Sequence, residues 1–135
     1  MNLQEFLNAH PVDNLTEDVV VSQRFKDEKG SILKFKIKAM TSQEFDEIRR
    51  ACTTNRKGRR VEFDAQKFNL KVVINHTLVP NFKDAESLQK LGCPTPEDYV
   101  QKVLLAGEIV TLAQKIQELS GFDIELDELV EEAKN

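Results

Sequence analysis

The sequence predicts an α+β domain: an N-terminal β-hairpin forming a small antiparallel sheet, followed by a helical bundle. Three observations lead there. In residues 31–39, Leu33, Phe35, Ile37 and Ala39 alternate with Lys34, Lys36 and Lys38, the period of two of a half-buried strand. Beyond residue 41 the apolar residues instead recur at spacings of three and four, behind residues that favour helix starts. And 135 residues, 40% hydrophobic and 31% charged, suffice for one core but are too few for two ordinary domains. We assign residues 1–121 to that single domain and residues 122–135 to an acidic amphipathic C-terminal tail.

Each element has its own signal. Leu3, Phe6 and Leu7 fall at i, i+3, i+4, which gives a short helix one sticky face before Pro11 stops it. Residues 19–25 form the first strand of the hairpin, residues 26–30 its polar turn and residues 31–39 the return strand. Thr41-Ser42-Gln43-Glu44 has the form of a capping box, in which hydroxyl and carboxylate reciprocally satisfy two orphan amides. The helix it opens carries a narrow stripe, Phe45, Ile48 and Cys52, and runs out into a loop at residues 55–60.

Asp64 caps the next helix, which holds Phe68, Leu70, Val72, Val73, Ile74, Leu78 and Val79 until Pro80 ends it. Apolar nearly all round, it belongs at the centre. The β-branched run Val72-Val73-Ile74 also suits a buried strand; segment length and the cap decide for helix. A short helix over residues 84–91 is closed by Gly92, and Thr95-Pro96-Glu97-Asp98 combines a cap, a first-turn proline and acids at the positive helix end. Tyr99, Val100, Val103 and Leu104 line one face, Gly107 interrupts, and Ile109, Leu112, Ala113, Ile116 and Leu119 continue to a C-cap at Gly121. In the tail, Leu126, Leu129, Val130 and Ala133 sit at i, i+3, i+4, i+7 among acids.

Charge is unevenly placed although the total is only -4. Arg49, Arg50, Arg56, Lys57, Arg59 and Arg60 form a basic run without an acid, whereas residues 122–135 hold six acids and one Lys. The two runs attract. A dense Arg/Lys loop is also the footprint of phosphate binding, but helix-turn-helix spacing and RNP-like aromatics are missing and the pI is near 5.3, which disfavours nucleic acid. His10, Cys52, His76 and Cys93 are scattered without metal-ligand spacing or a nucleophile motif, and His76 on the most apolar helix reads as a satisfied core imidazole. Asp46/Glu47 and Glu131/Glu132 are adjacent and point apart on a helix, so they make no acid/base dyad.

The expectation is therefore a protein that is not an enzyme and uses no cofactor or metal. No run approaches the roughly 18 apolar residues of a membrane span. Residues 1–10 lack the basic start and apolar stretch of a secretory signal, and two cysteines suit a reducing compartment, so the expected location is the cytoplasm. Partner binding remains, through the amphipathic pieces at the chain ends.

The order of motifs is distinctive as a whole. A Lys-rich hairpin is followed by Met40-Thr41-Ser42 with Glu44-Phe45, by Gly58-Arg59-Arg60-Val61-Glu62-Phe63-Asp64, and by Pro80-Asn81-Phe82. Then come Thr95-Pro96-Glu97-Asp98, Leu104-Leu105-Ala106-Gly107-Glu108-Ile109 and the close Leu119-Ser120-Gly121-Phe122. In this order the chain resembles the XkdN-like tail assembly chaperones of phages and prophages over nearly its whole length. The resemblance implies a non-enzymatic helper in the bacterial host cytoplasm that coats the tape measure protein, keeps it soluble, recruits the tail tube protein and is absent from the mature virion. It offers no catalytic residues to carry over.

On this reading Ile109, Leu112 and Ile116, the tail stripe Leu126, Leu129 and Val130, and the N-terminal Leu3 and Phe6 are the expected surface for a partner or for homo-oligomerisation. The competing reading is a small regulatory nucleic-acid binder using Arg49, Arg50, Arg56, Lys57, Arg59 and Arg60. A third is a structural component of the tail itself.

Overall fold

The computed structural model describes residues 2–12, 15–55 and 61–122. Through them run α1 (Leu3–Ala9), β1 (Thr16–Val19), β2 (Phe35–Lys38), α2 (Ser42–Ala51), β3 (Thr53–Asn55), β4 (Val61–Phe63), α3 (Ala65–His76), β5 (Thr77–Val79), α4 (Ala85–Lys90), α5 (Pro96–Val103) and α6 (Ala106–Leu119). The main sheet is antiparallel in the order β1-β2-β5, and β3 and β4 form a second, two-stranded sheet. The α+β class is as the sequence predicts.

The alternation of the return strand holds: Phe35, Ile37 and Ala39 are buried while Lys34 and Lys36 are exposed. Leu33 lies before β2 begins and is half exposed. The partner strand is not residues 19–25 but Thr16–Val19, with Val19 opposite Phe35 on the core side and Asp18 opposite Lys36. Opposite charges facing across an antiparallel pair favour this register, whereas Arg24 further along is drawn away to α6. The expected turn survives at the far end of the excursion. There the Asp27 carboxylate accepts from the Lys29 and Ser31 amides, Gly30 takes φ 83°, and Lys26 bridges to Ile32.

The capping box of α2 is formed as predicted, the Glu44 amide donating to Thr41 Oγ1 at 3.2 Å and the Thr41 amide to Glu44 Oε1 at 3.0 Å. The segment expected to be a loop is flanked by strands that the sequence reading missed: β3 pairs with β4, and the Asp64 amide donates to Cys52 O at the base of this hairpin. Residues 56–60, between the two strands, lie outside the described residues.

The central helix α3 buries Phe68, Leu70, Val72, Val73, Ile74 and His76, so the β-branched run is helical and central. It ends at His76 rather than continuing to Pro80, because β-branched Thr77 and the extended backbone imposed on Val79 by the following proline feed an edge strand, β5, onto β2. The caps at Asp84 and Thr95 are in place, with Pro96 in the first turn of α5. Gly107 does not interrupt a continuous helix: α5 stops at Val103 and α6 restarts at Ala106, with Gly107 in its first turn. The core gathers where sheet and helices meet, with Ile37, Val72, Val73, Val100, Leu112 and Ile116 at 0% exposure.

Candidate partner-binding surface

α1 is held by its own capping box, the Glu5 amide donating to Asn2 Oδ1 at 2.8 Å. No residue of α1 is buried, and Leu3, Phe6 and Leu7 remain 72%, 49% and 54% exposed. The Phe6 ring packs on His10 of the same segment, with centroids 4.8 Å apart. A seven-residue helix has little stability of its own in water, so an apolar face left to solvent suits one that binds something.

Leu112 and Ile116 were expected at that surface too, and here the structure corrects the sequence. Both are fully enclosed, because at spacings of three and four they form the very stripe by which α6 packs on α3. Ile109, one turn earlier, is half buried and forms part of an open, mainly apolar groove of about 490 Å³ between α3, α5 and α6. Leu105 and Val110 are exposed beside it. A second apolar groove of about 350 Å³, lined by Phe25, Leu33, Val79, Pro80, Tyr99 and Val103 among others, lies where the hairpin excursion meets β5 and α5. The tail residues Leu126, Leu129 and Val130 lie outside the described residues.

The basic run divides. Arg49 and Arg50 occupy the last turn of α2, where cations suit the negative end of the helix dipole, and Arg49 also sits 3.6 Å from Asp46. Arg56, Lys57, Arg59 and Arg60 lie outside the described residues. Among the described residues no group of three or more His, Cys, Asp and Glu is placed to hold a metal ion, and no helix is long and apolar enough to cross a membrane.

Two polar features escaped the sequence. Arg24 grips Glu108 with two hydrogen bonds of 2.8 Å, from Nε to Oε2 and from Nη2 to Oε1, and Nη2 also donates to Val103 O. Glu108 Oε1 accepts the Leu105 amide at 2.7 Å as well, so one carboxylate both caps α6 and pins the hairpin excursion to the α5–α6 junction. The Arg24 guanidinium holds that carboxyl below the usual carboxylate range. An acid three residues after Leu105 was a legible helix-start signal; nothing in the sequence pointed to Arg24.

His76 is buried, as expected of a core imidazole, but its Nδ1 has no hydrogen-bond partner among the described residues, so the ring is satisfied at most on one side. Burial pushes its pKa down, against a weaker upward pull from Glu44.

The family model described as phage XkdN-like tail assembly chaperone protein matches residues 3–134. The chain belongs to this family. The chain is 32% identical to the Bacillus subtilis (strain 168) protein YqbN over 139 residues, covering 99% of this chain and 93% of the relative. It is 30% identical over 139 residues to the phage-like element PBSX protein XkdN of the same organism, covering 99% and 94%. The crystal structure of the protein YqbN superposes with a TM-score of 0.72 at 29% identity, covering 91% of this chain and 98% of that one.

Proposed function

We propose that this tail assembly chaperone works without catalysis, by binding the tape measure protein in the host cytoplasm, helping the tail tube assemble around it, and leaving before the particle is complete. The observation that carries the reading is the apolar face of α1, whose Leu3, Phe6 and Leu7 are all open to solvent on a folded domain. A long, mainly helical, aggregation-prone client offers apolar stripes that such a face and the groove beside Ile109 suit. Fully burying one such side chain contributes about 1.5–3 kcal/mol, and association itself costs several kcal/mol. Two or three side chains per copy therefore give weak binding, which permits release, while many copies along one client give avidity.

The test is co-expression with the cognate tape measure protein, comparing wild type, Leu3→Ser/Phe6→Ser and a chain ending at Gly121. Loss of soluble client and of pull-down in the α1 variant is expected. Unchanged solubility in both altered chains removes α1 and the tail from the mechanism.

A further inference from the structure

The arm that carries α1 leaves the domain at one end of α6, and the larger apolar groove lies at the other. Leu15 O accepts from the Ala39 amide, and the next amide, that of Met40, donates to Oγ of Ser120, the C-cap of α6, so the arm begins beside that C-terminus. The groove of about 490 Å³ is instead built on the start of α6, walled by Leu104, Ile109 and Val110 with Gln66, Asn69 and Gln101 along its polar edge. From Ser120 back to Val110 and Ala106 is about 15–21 Å of helix at 1.5 Å per residue. Residues 10–15, which join α1 to β1, span about 20 Å at full extension, and Val12 among them lies in a bend. Only a straightened connection would bring α1 into its own groove, and in the structure every residue from 2 to 12 is exposed.

The two surfaces match in charge. In a chain with 31% charged residues, no charged side chain among the described residues lines this groove, whereas Lys34 lines the second one. The α1 face presents Leu3, Phe6 and Leu7; Gln4 and Asn8 beside it bond to each other, and the Glu5 carboxylate turns back to the Asn2 amide. Docking one on the other buries no ion, so the desolvation cost of a charge does not oppose it. The three α1 side chains, about half to three-quarters exposed, offer roughly 300 Å², taking about 150–250 Å² for a whole aromatic. Counting both sides, one docked arm hides about 600 Å², short of the roughly 1,200 Å² at which stable interfaces begin, and two reciprocal arms reach it.

We infer that two copies exchange arms: α1 of each docks Leu3, Phe6 and Leu7 into the α3/α5/α6 groove of the other, with the two α6 helices running in opposite directions. That orientation sets the C-terminus of one α6 beside the start of the other, so both arms cross at once and the pair closes on itself. At the lower limit of a stable interface, the pair comes apart on dilution. The inference goes beyond the client reading, since it concerns the isolated chain; client and second copy compete for α1, and failure of the pairing leaves the client reading standing.

The experiment places a nitroxide on Asn8→Cys, away from the apolar stripe, in the full chain carrying Cys93→Ser, Cys52 being buried. Labelled, isotope-free chains are mixed with unlabelled, isotope-enriched ones, and amide intensities are read by NMR before and after reduction of the label. At least a twofold loss at residues 66–69 and 106–110 of the enriched chain is expected, with a sedimentation mass that climbs from 15.4 kDa toward twice that as concentration rises. Both effects should vanish in Leu3→Ser/Phe6→Ser and in Val110→Glu, substitutions at exposed positions whose folding circular dichroism checks. A mass fixed at one chain overturns the inference. So does loss seen only when label and isotopes share a chain, which means α1 fills its own groove, loss centred on Val79 and Tyr99 of the second groove, or loss that persists in Val110→Glu.

Discussion

Replacing Leu112 by Ala and replacing Leu3 and Phe6 by Ser should have opposite consequences, although the sequence assigns all three residues to one surface. Leu112 is fully enclosed between α6 and the rest of the core, so truncation removes buried methyl groups and leaves a cavity that the packed α3–α6 contact fills only in part. Such substitutions cost about 2–5 kcal/mol, a large share of the roughly 5–15 kcal/mol that holds a domain of this kind together. At about 3–5 °C per kcal/mol for this chain length, the melting temperature should fall by at least 6 °C or so. Leu3 and Phe6 are exposed on a helix with no buried residue, so their replacement should move stability by no more than about 0.5 kcal/mol. Urea unfolding followed by circular dichroism reads both. A Leu112→Ala protein as stable as wild type, or an α1 variant that loses several kcal/mol, would refute the division into core and surface.

Three further outcomes follow from polar groups. A double-mutant cycle on Arg24→Ala and Glu108→Ala should show the two substitutions to be coupled, less strongly than in a fully buried pair because the Arg24 side chain is 45% exposed and solvent screens it; strict additivity counts against the fork. Because the buried His76 has a pKa lowered from 6.5, its unfolded form takes up the proton first, so stability is intact above pH 6.5 and falls as pH drops below it. The His76 contribution reaches at most about 1.4 kcal/mol per pH unit; equilibrium unfolding between pH 7 and 5 should show this slope flattened in His76→Gln, and an unchanged slope rejects the assignment. Gly121→Ala, at φ 92°, should cost about 1–2 kcal/mol and loosen Phe122 from Phe45, read as altered shifts of both rings in NMR spectra; identical stability and shifts would count against the cap.

What the sequence made legible was local. Caps at Thr41, Asp64, Asp84 and Thr95 are satisfied by atoms three residues away, and the alternation of Phe35 and Ile37 needs only the pleat of one strand. What it hid is non-local. Thr16–Val19 wins the pairing with β2 over residues 19–25 through a register and a cross-strand charge pair that no single strand displays. Leu78 and Val79 fit a helical stripe as well as a strand, and only a vacant edge of β2 decides for β5. On α6 the spacing that marks a sticky face is the same whether a partner or α3 covers it, so Leu112 and Ile116 read as surface until the packing is seen. The grip of Arg24 on Glu108 spans 84 positions and leaves no periodic trace.

If the chain binds tail proteins only transiently, as proposed, quantitative mass spectrometry should find it together with the tape measure protein in tail assembly intermediates and missing from completed tails. A fixed number of copies retained in finished particles, or intermediates that never contain it, would overturn the proposed role.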